Sequence, residues 1–195
     1  MVRVWIIGTL VAAAVAPVAR AQPDWRSAGG EIFASSEPSP EVDPNSREPR
    51  LPEGSQPFDA AVGAAAARHR LDPKLLHALV AVESAYRPRA VSPAGAGGLT
   101  QLMPGTATAL GIVDRFDAAA NLSGGADYLA RQLLRFGDVR LALAAYNAGP
   151  ERVARLGRIP NIAETQSYVA AVIECYLALS AGRSIRSASD CRRGP

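Results

Sequence analysis

Glu83 stands where polarity alone would not put a carboxylate. In "LLHALVAVESAYRPRA" (75–90), Leu76, Val80 and Glu83 fall at i, i+4 and i+7 on one helix face, and Leu75, Leu79 and Val82 fill the neighbouring stripe. A carboxylate turned with the apolar stripe loses solvation, and its response is to hold its proton. The end of a helix acts in the same direction, because the negative pole of the macrodipole disfavours the ionised form. Both effects raise the pKa, as a general acid at neutral pH requires. Helix geometry leaves a second reading open, in which Glu83 pairs with Arg87 or Arg89 at the helix end. Other residue types offer little competing chemistry. His69 and His77 are the only histidines, no HExxH is present, and Cys175 and Cys191 are not at metal-ligand spacing. No metal site and no cofactor are expected.

The elements that must position Glu83 follow from punctuation. From Pro57 onward Ala, Leu and Val recur at helical spacing. A first helix is predicted from Phe58 to about Arg70. Asp72 and Pro73, as N-cap and N1, open a second helix that runs to about Ala85. Arg87-Pro88 stops it, since the residue before proline avoids the helical region. Residues 87–98 read as a loop, followed by short helical pieces at Leu99–Met103 and at Thr106–Leu110, the latter capped by Thr106. "NLSGGADYLARQLLRFG" reads as a longer helix closed by Gly137. Asp138 caps "VRLALAAYN", which ends at Gly149-Pro150. "ERVARLG" is short, and "ETQSYVAAVIECYLALSAG" is a long terminal helix. No period-2 strand and no internal repeat is evident, so the fold class is all-α, with Ala-rich faces that imply closely approaching helices.

The flanks differ in kind. Arg3 precedes an apolar run, Val4 to Val18, and Ala19-Arg20-Ala21 fits a small-x-small cleavage site. The run falls short of the roughly 20 residues of a membrane span. Residues 1–21 therefore read as a signal peptide rather than an uncleaved anchor, and the mature chain is expected to be exported, periplasmic and without a stable membrane span. Residues 22–56, rich in Pro, Ser and charge, read as a disordered linker. A catalytic domain is expected over 57–182 and a solvated basic tail over 183–195. The mature chain is nearly neutral, because two of the 21 basic residues leave with the signal peptide and 18 acidic ones stay. No aromatics are interleaved with basic residues, so a nucleic-acid partner is not expected. An oxidising compartment permits a Cys175–Cys191 bridge, without requiring it, and a loop of that size adds about 3 kcal/mol in the chain-entropy model.

Three blocks carry a family resemblance. "ESAYRPRAVSPAGAGGLTQLMPGTA" (83–107) closely resembles the central motif of the soluble lytic transglycosylase family, whose fold is like that of goose-type lysozyme. "ALAAYNAGP" (142–150) resembles its tyrosine-bearing motif and "IPNIAETQSYV" (159–169) its closing segment. Order and spacing agree, and the match covers roughly residues 58–180. The resemblance implies an enzyme that cleaves the β-1,4 bond between N-acetylmuramic acid and N-acetylglucosamine in peptidoglycan. A 1,6-anhydro ring is left on the muramyl product.

One glutamate does both proton transfers in that family, and it matches Glu83. A second carboxylate from Asp114, Asp117 or Glu164 is left open. Ser92 matches a serine that contacts the muramyl sugar, and Gln101 and Met103 match cleft-lining residues. Tyr146 matches a tyrosine whose hydroxyl approaches the glutamate. Asn147 lies beside it and reads equally as a helix-end cap. Glu164 and Tyr168 match inward-facing positions; Glu164 reads equally as a first-turn residue favoured by the helix dipole, and Tyr168 as a core aromatic with a satisfied hydroxyl. Thr100 departs from the family, where many members have methionine, which leaves the shape of one subsite open. Small single-domain members act locally, for a secretion or conjugation apparatus, and the size and linker here are compatible with that. A hydrolytic muramidase and a non-catalytic glycan-binding module of an envelope assembly are the competing readings.

Overall fold

Caps and breakers set the bounds of the helices. The computed structural model describes residues 56–192. The expected signal peptide, nearly all of the linker and the last three residues lie outside them. Helix α1 runs Asp59–His69 between two left-handed residues, Phe58 and Arg70. Helix α2 runs Pro73–Ser84; the Asp72 side chain accepts from the Lys74 amide, and left-handed Ala85 closes the other end. Helix α3, Pro104–Ala109, opens on its proline, whose fixed φ suits the first helical position. It starts two residues before the expected Thr106, which does not cap it. Helix α4, Ala118–Phe136, is capped by Asp117 and closed by Gly137. Asp138 caps α5, Val139–Ala148, through the amides of Arg140 and Leu141. Helix α6 is Pro150–Leu156, α7 is Ala163–Ser180, and α8 is the short Ala188–Cys191.

The expected helical piece at Leu99–Met103 is absent. Gly98 (φ 84°) and Gln101 (φ 49°) are left-handed, which a right-handed helix cannot hold. The segment turns back on itself instead, with Gly97 bridged antiparallel to both Val91 and Leu102. Among the described residues these isolated bridges are the only β pairing, so the fold is all-α as the periodicity predicted.

Helix α2 is the axis of the core. Its Leu75, Leu76, Leu79 and Val80 are fully buried, alongside Leu129 and Leu133 of α4, Leu143 of α5, and Val172 and Leu179 of α7. Full burial of such a side chain contributes about 1.5–3 kcal/mol. The packing sets α2 against α7, α4 against α1 and α5, and α5 against α7. Small residues on α5 (Ala142, Ala144 and Ala145, all buried) allow that close approach.

Buried polar groups tie the far ends together. His77 bonds Tyr86 Oη (2.9 Å) through Nδ1 and Asp59 Oδ1 (3.1 Å) through Nε2. Burial lowers its pKa, against the opposing pull of Asp59. Gln56, with its amide oriented to satisfy its neighbours, donates to Ile185 O (2.6 Å) and accepts from Ile185 N (2.8 Å).

The described part of the basic tail is not a free solvated arm. Ile185 is buried, Arg183 donates to Asp190 O (2.6 Å), and a Ser187–Asp190 capping box opens α8. Cys191 is disulfide-bonded to Cys175 on α7. The bridge closes a loop across 16 residues of sequence, so reduction is expected to lower stability by about 3 kcal/mol. Urea midpoints of the oxidised and reduced protein measure this, and equal midpoints would show that the bridge adds nothing.

Candidate active site

Glu83 is the penultimate residue of α2. Ala85 and Tyr86, both left-handed, turn the chain sharply away immediately afterwards. This places the carboxyl at the edge of the core, half-buried, with one face open. Its hydrogen-bond partner comes from α7: Tyr168 Oη donates to Glu83 Oε1 at 2.7 Å. Burial pushes the Glu83 pKa up from 4.5 to about 7, and the Tyr168 hydrogen bond, which favours the ionised form, holds it down. The arginine pairing does not occur. Arg87 and Arg89 are exposed, and Arg87 Nε donates to Ser84 O (3.0 Å).

Tyr146, on α5, lies close enough for the Glu83 charge to push its phenol pKa up further than burial alone does. Its hydroxyl, however, donates to the Thr100 carbonyl (2.9 Å), and its ring stacks tilted on Tyr128 with centroids 5.1 Å apart. The hydroxyl bonded to Glu83 is therefore that of Tyr168, not the one the motif match pointed to. The closing segment carried the signal: Tyr168 sits on the buried face of α7, where a phenol needs a partner.

The other expected site residues fall into two groups. Gln101 sits in the turn beside Thr100, and its Nε2 donates to Ala90 O (3.1 Å) and Gly98 O (2.9 Å), bracing the loop. Met103 is 44% exposed at the start of α3, so it is a surface residue and not part of the core. Ser92 closes a turn, its Oγ accepting from the Ala96 amide (3.0 Å). Asn147 is exposed and does not cap α5; Gly149 does, while Asn147 Oδ1 accepts from Thr165 Oγ1 (2.9 Å) and links α5 to α7.

Glu164 is exposed in the first turn of α7 and does not face inward. The positive helix pole stabilises a carboxylate there in water. Asp114 and Asp117 are exposed too, hold the Phe116 and Ala120 amides (2.8 and 2.7 Å), and line a separate cavity with His69. Burial and the Tyr168 hydrogen bond are what shift the Glu83 pKa.

Thr100 is fully buried, facing Asn121 and Gly125 rather than any open surface. It does not shape a subsite directly.

Against this geometry, the family model described as the transglycosylase SLT domain matches residues 60–169. The chain belongs to that family. The SLT match starts inside α1 and ends one residue after Tyr168, so it contains Glu83 and both tyrosines. Among curated relatives, the transglycosylase of Enterobacteria phage PRD1 is 43% identical over 113 residues, which are 58% of this chain and 40% of that protein. The soluble lytic murein transglycosylase of Salmonella typhimurium is 38% identical over 120 residues, covering 49% of this chain and 19% of that one.

Solved SLT structures agree. An inactive glutamate-to-glutamine mutant of the lytic transglycosylase Slt from Pseudomonas aeruginosa superposes with TM-score 0.55 at 30% identity, over 67% of this chain and 24% of that one. The 70 kDa soluble lytic transglycosylase of Escherichia coli gives 0.54 at 28% identity, over 66% and 25%. This SLT chain thus spans well under half the length of the proteins it matches.

Proposed function

We propose that the protein is a peptidoglycan lytic transglycosylase with Glu83 as its single general acid and base. The observation that carries this is one half-buried carboxyl, raised to about 7 by burial and held by a single phenol donor. At neutral pH both of its protonation states are populated, so one group can serve both proton transfers. As acid, Glu83 protonates the glycosidic oxygen while the C1–O4 bond breaks. The Tyr168 hydroxyl then stabilises the carboxylate that is left. As base, Glu83 takes the proton from the C6 hydroxyl as that oxygen bonds to C1 and closes the anhydro ring. The proton lent in the first step is recovered in the second, and no water is consumed. Met103 and Gln101 would line the glycan cleft, with Ser92, Asn147 and Glu164 at its margins.

Mass spectrometry of digested sacculi tests the reaction. Anhydro-muramyl ends are expected; reducing ends would instead identify a muramidase, and undigested sacculi a glycan-binding module. The relatives named as murein transglycosylases support an envelope location. Residues 1–21 further support export to the periplasm. The Pro-rich segment before the domain is compatible with local wall opening for a secretion or conjugation apparatus.

Tyr168→Phe separates orientation from burial. The lost hydrogen bond had favoured the ionised carboxyl, so the Glu83 pKa rises further and the basic limb of the pH–rate profile moves to higher pH. The rate is expected to fall about tenfold, as a positioned proton-transfer group loses its anchor. A profile that stays in place would deny Tyr168 this part.

A further inference from the structure

We infer that Asn121, a residue with no contact to Glu83 or Tyr168, is a positioning residue that sets the wall of the catalytic cleft through Thr100. The inference rests on the reading of Glu83 as the acid. Asn121 lies one turn into α4, fully buried. Its side-chain amide is saturated. Oδ1 accepts from the Thr100 amide and from Thr100 Oγ1, both at 2.8 Å. Nδ2 donates to Gly97 O (3.1 Å) and Arg115 O (2.8 Å). A buried amide with all of its capacity used fixes its partners in place, since any shift leaves a polar atom unpaired.

Those partners are the turn itself. Gly97 is the node of both isolated bridges, and Arg115 Nη1 adds bonds to Gly95 O (2.7 Å) and Leu102 O (3.1 Å). Thr100 is the link to the cleft. Its main chain and hydroxyl are held from behind by Asn121, and its carbonyl receives the Tyr146 hydroxyl on the other side. Tyr146 in turn lies within reach of the Glu83 charge. The hydrogen-bonded chain Asn121–Thr100–Tyr146 thus runs from α4 to α5, where Tyr146 neighbours the carboxyl. The packing is tight around it: a Cβ at Gly125 would collide with the Thr100 side chain. Threonine in place of the methionine of many relatives belongs to this arrangement, because it supplies a hydroxyl to Asn121 and fits against Gly125.

The test combines kinetics with a direct titration of Glu83 by ¹³C-glutamate NMR, the resonance being assigned by its loss in Glu83→Gln. Thr100→Val keeps the shape and removes the hydroxyl bond. Asn121→Asp removes both donors. Thr100→Ser restores the hydroxyl. A loosened wall admits water to a carboxyl whose pKa is raised first by desolvation, so the Glu83 midpoint is expected to fall from about 7 in Thr100→Val and Asn121→Asp. This is opposite in direction to Tyr168→Phe. On peptidoglycan, kcat is expected to fall about tenfold with KM little changed, as for a misplaced proton donor. Thr100→Ser is expected to restore both. Should Asn121→Asp not fold, Thr100→Val decides alone. A Glu83 midpoint that stays or rises in Thr100→Val, or a kcat within twofold of wild type, overturns the inference. The titration needs no catalysis. An active Glu83→Gln would therefore refute the acid–base reading while the midpoints still judged the wall.

Discussion

Glu83→Gln is expected to lose on the order of 10³-fold or more of peptidoglycan cleavage, since one group serves as both acid and base and each role contributes roughly 10²–10⁴. The same change is expected to make the fold more stable above neutral pH. The folded pKa is raised, from 4.5 to about 7, so the folded state binds the proton more tightly than the unfolded one. The stability due to that proton is fully present below about pH 4.5 and is lost as pH rises through about 7. Glutamine never ionises and escapes the loss. Above pH 7.5 the variant is expected to exceed wild type by about 2 kcal/mol once partial exposure is discounted. Near pH 4 the two should be equal. The measurement is urea denaturation of both proteins at the two pH values, together with turbidity clearance of sacculi. A variant that clears sacculi like wild type removes Glu83 from the chemistry. A stability difference independent of pH removes burial as the source of its raised pKa.

Gly98→Ala is expected to destabilise the domain by about 2–5 kcal/mol, much of the 5–15 kcal/mol typical of a folded domain. Two costs add. Gly98 has φ 84°, which a residue with a side chain rarely adopts. A Cβ there would also run into the Asn121 amide and the Arg115 carbonyl, and the latter is backbone that cannot swing aside. A change at Gly105, where an added Cβ meets nothing and φ is not left-handed, is the matched control. Urea midpoints for Gly98→Ala and Gly105→Ala measure the contrast. Equal midpoints would mean that the turn is far softer than its packing indicates.

Much of this was legible in the chain, for reasons that differ by residue. Glu83 was found from a seven-residue stripe, because helical periodicity is local and α2 keeps it from Leu75 to the end. The caps at Asp72 and Asp138 were legible on the same ground. The place of Thr100 was not legible, because left-handed residues at Gly98 and Gln101 reverse the chain around it. Its side chain is thereby turned into the protein. The tyrosines are a different case. Tyr146 and Tyr168 both end near the carboxyl, and only the packing of α5 against α7 decides which hydroxyl reaches it. Glu164 obeys the preference of its own helix end rather than the pattern of the motif around it. Asn121 left no trace, because its partners lie 21 and 24 residues away across an irregular turn.

The meeting of Gln56 with Ile185 has a consequence for how such a domain travels between proteins. Within the described residues, the segment before α1 and the segment after α7 therefore meet. A fold with adjoining ends makes few demands on what surrounds it. It can be spliced into the interior of a host chain, or hung from either end, without parting the segments on either side. The matched region fills about a quarter of the Pseudomonas aeruginosa chain and two fifths of the phage protein.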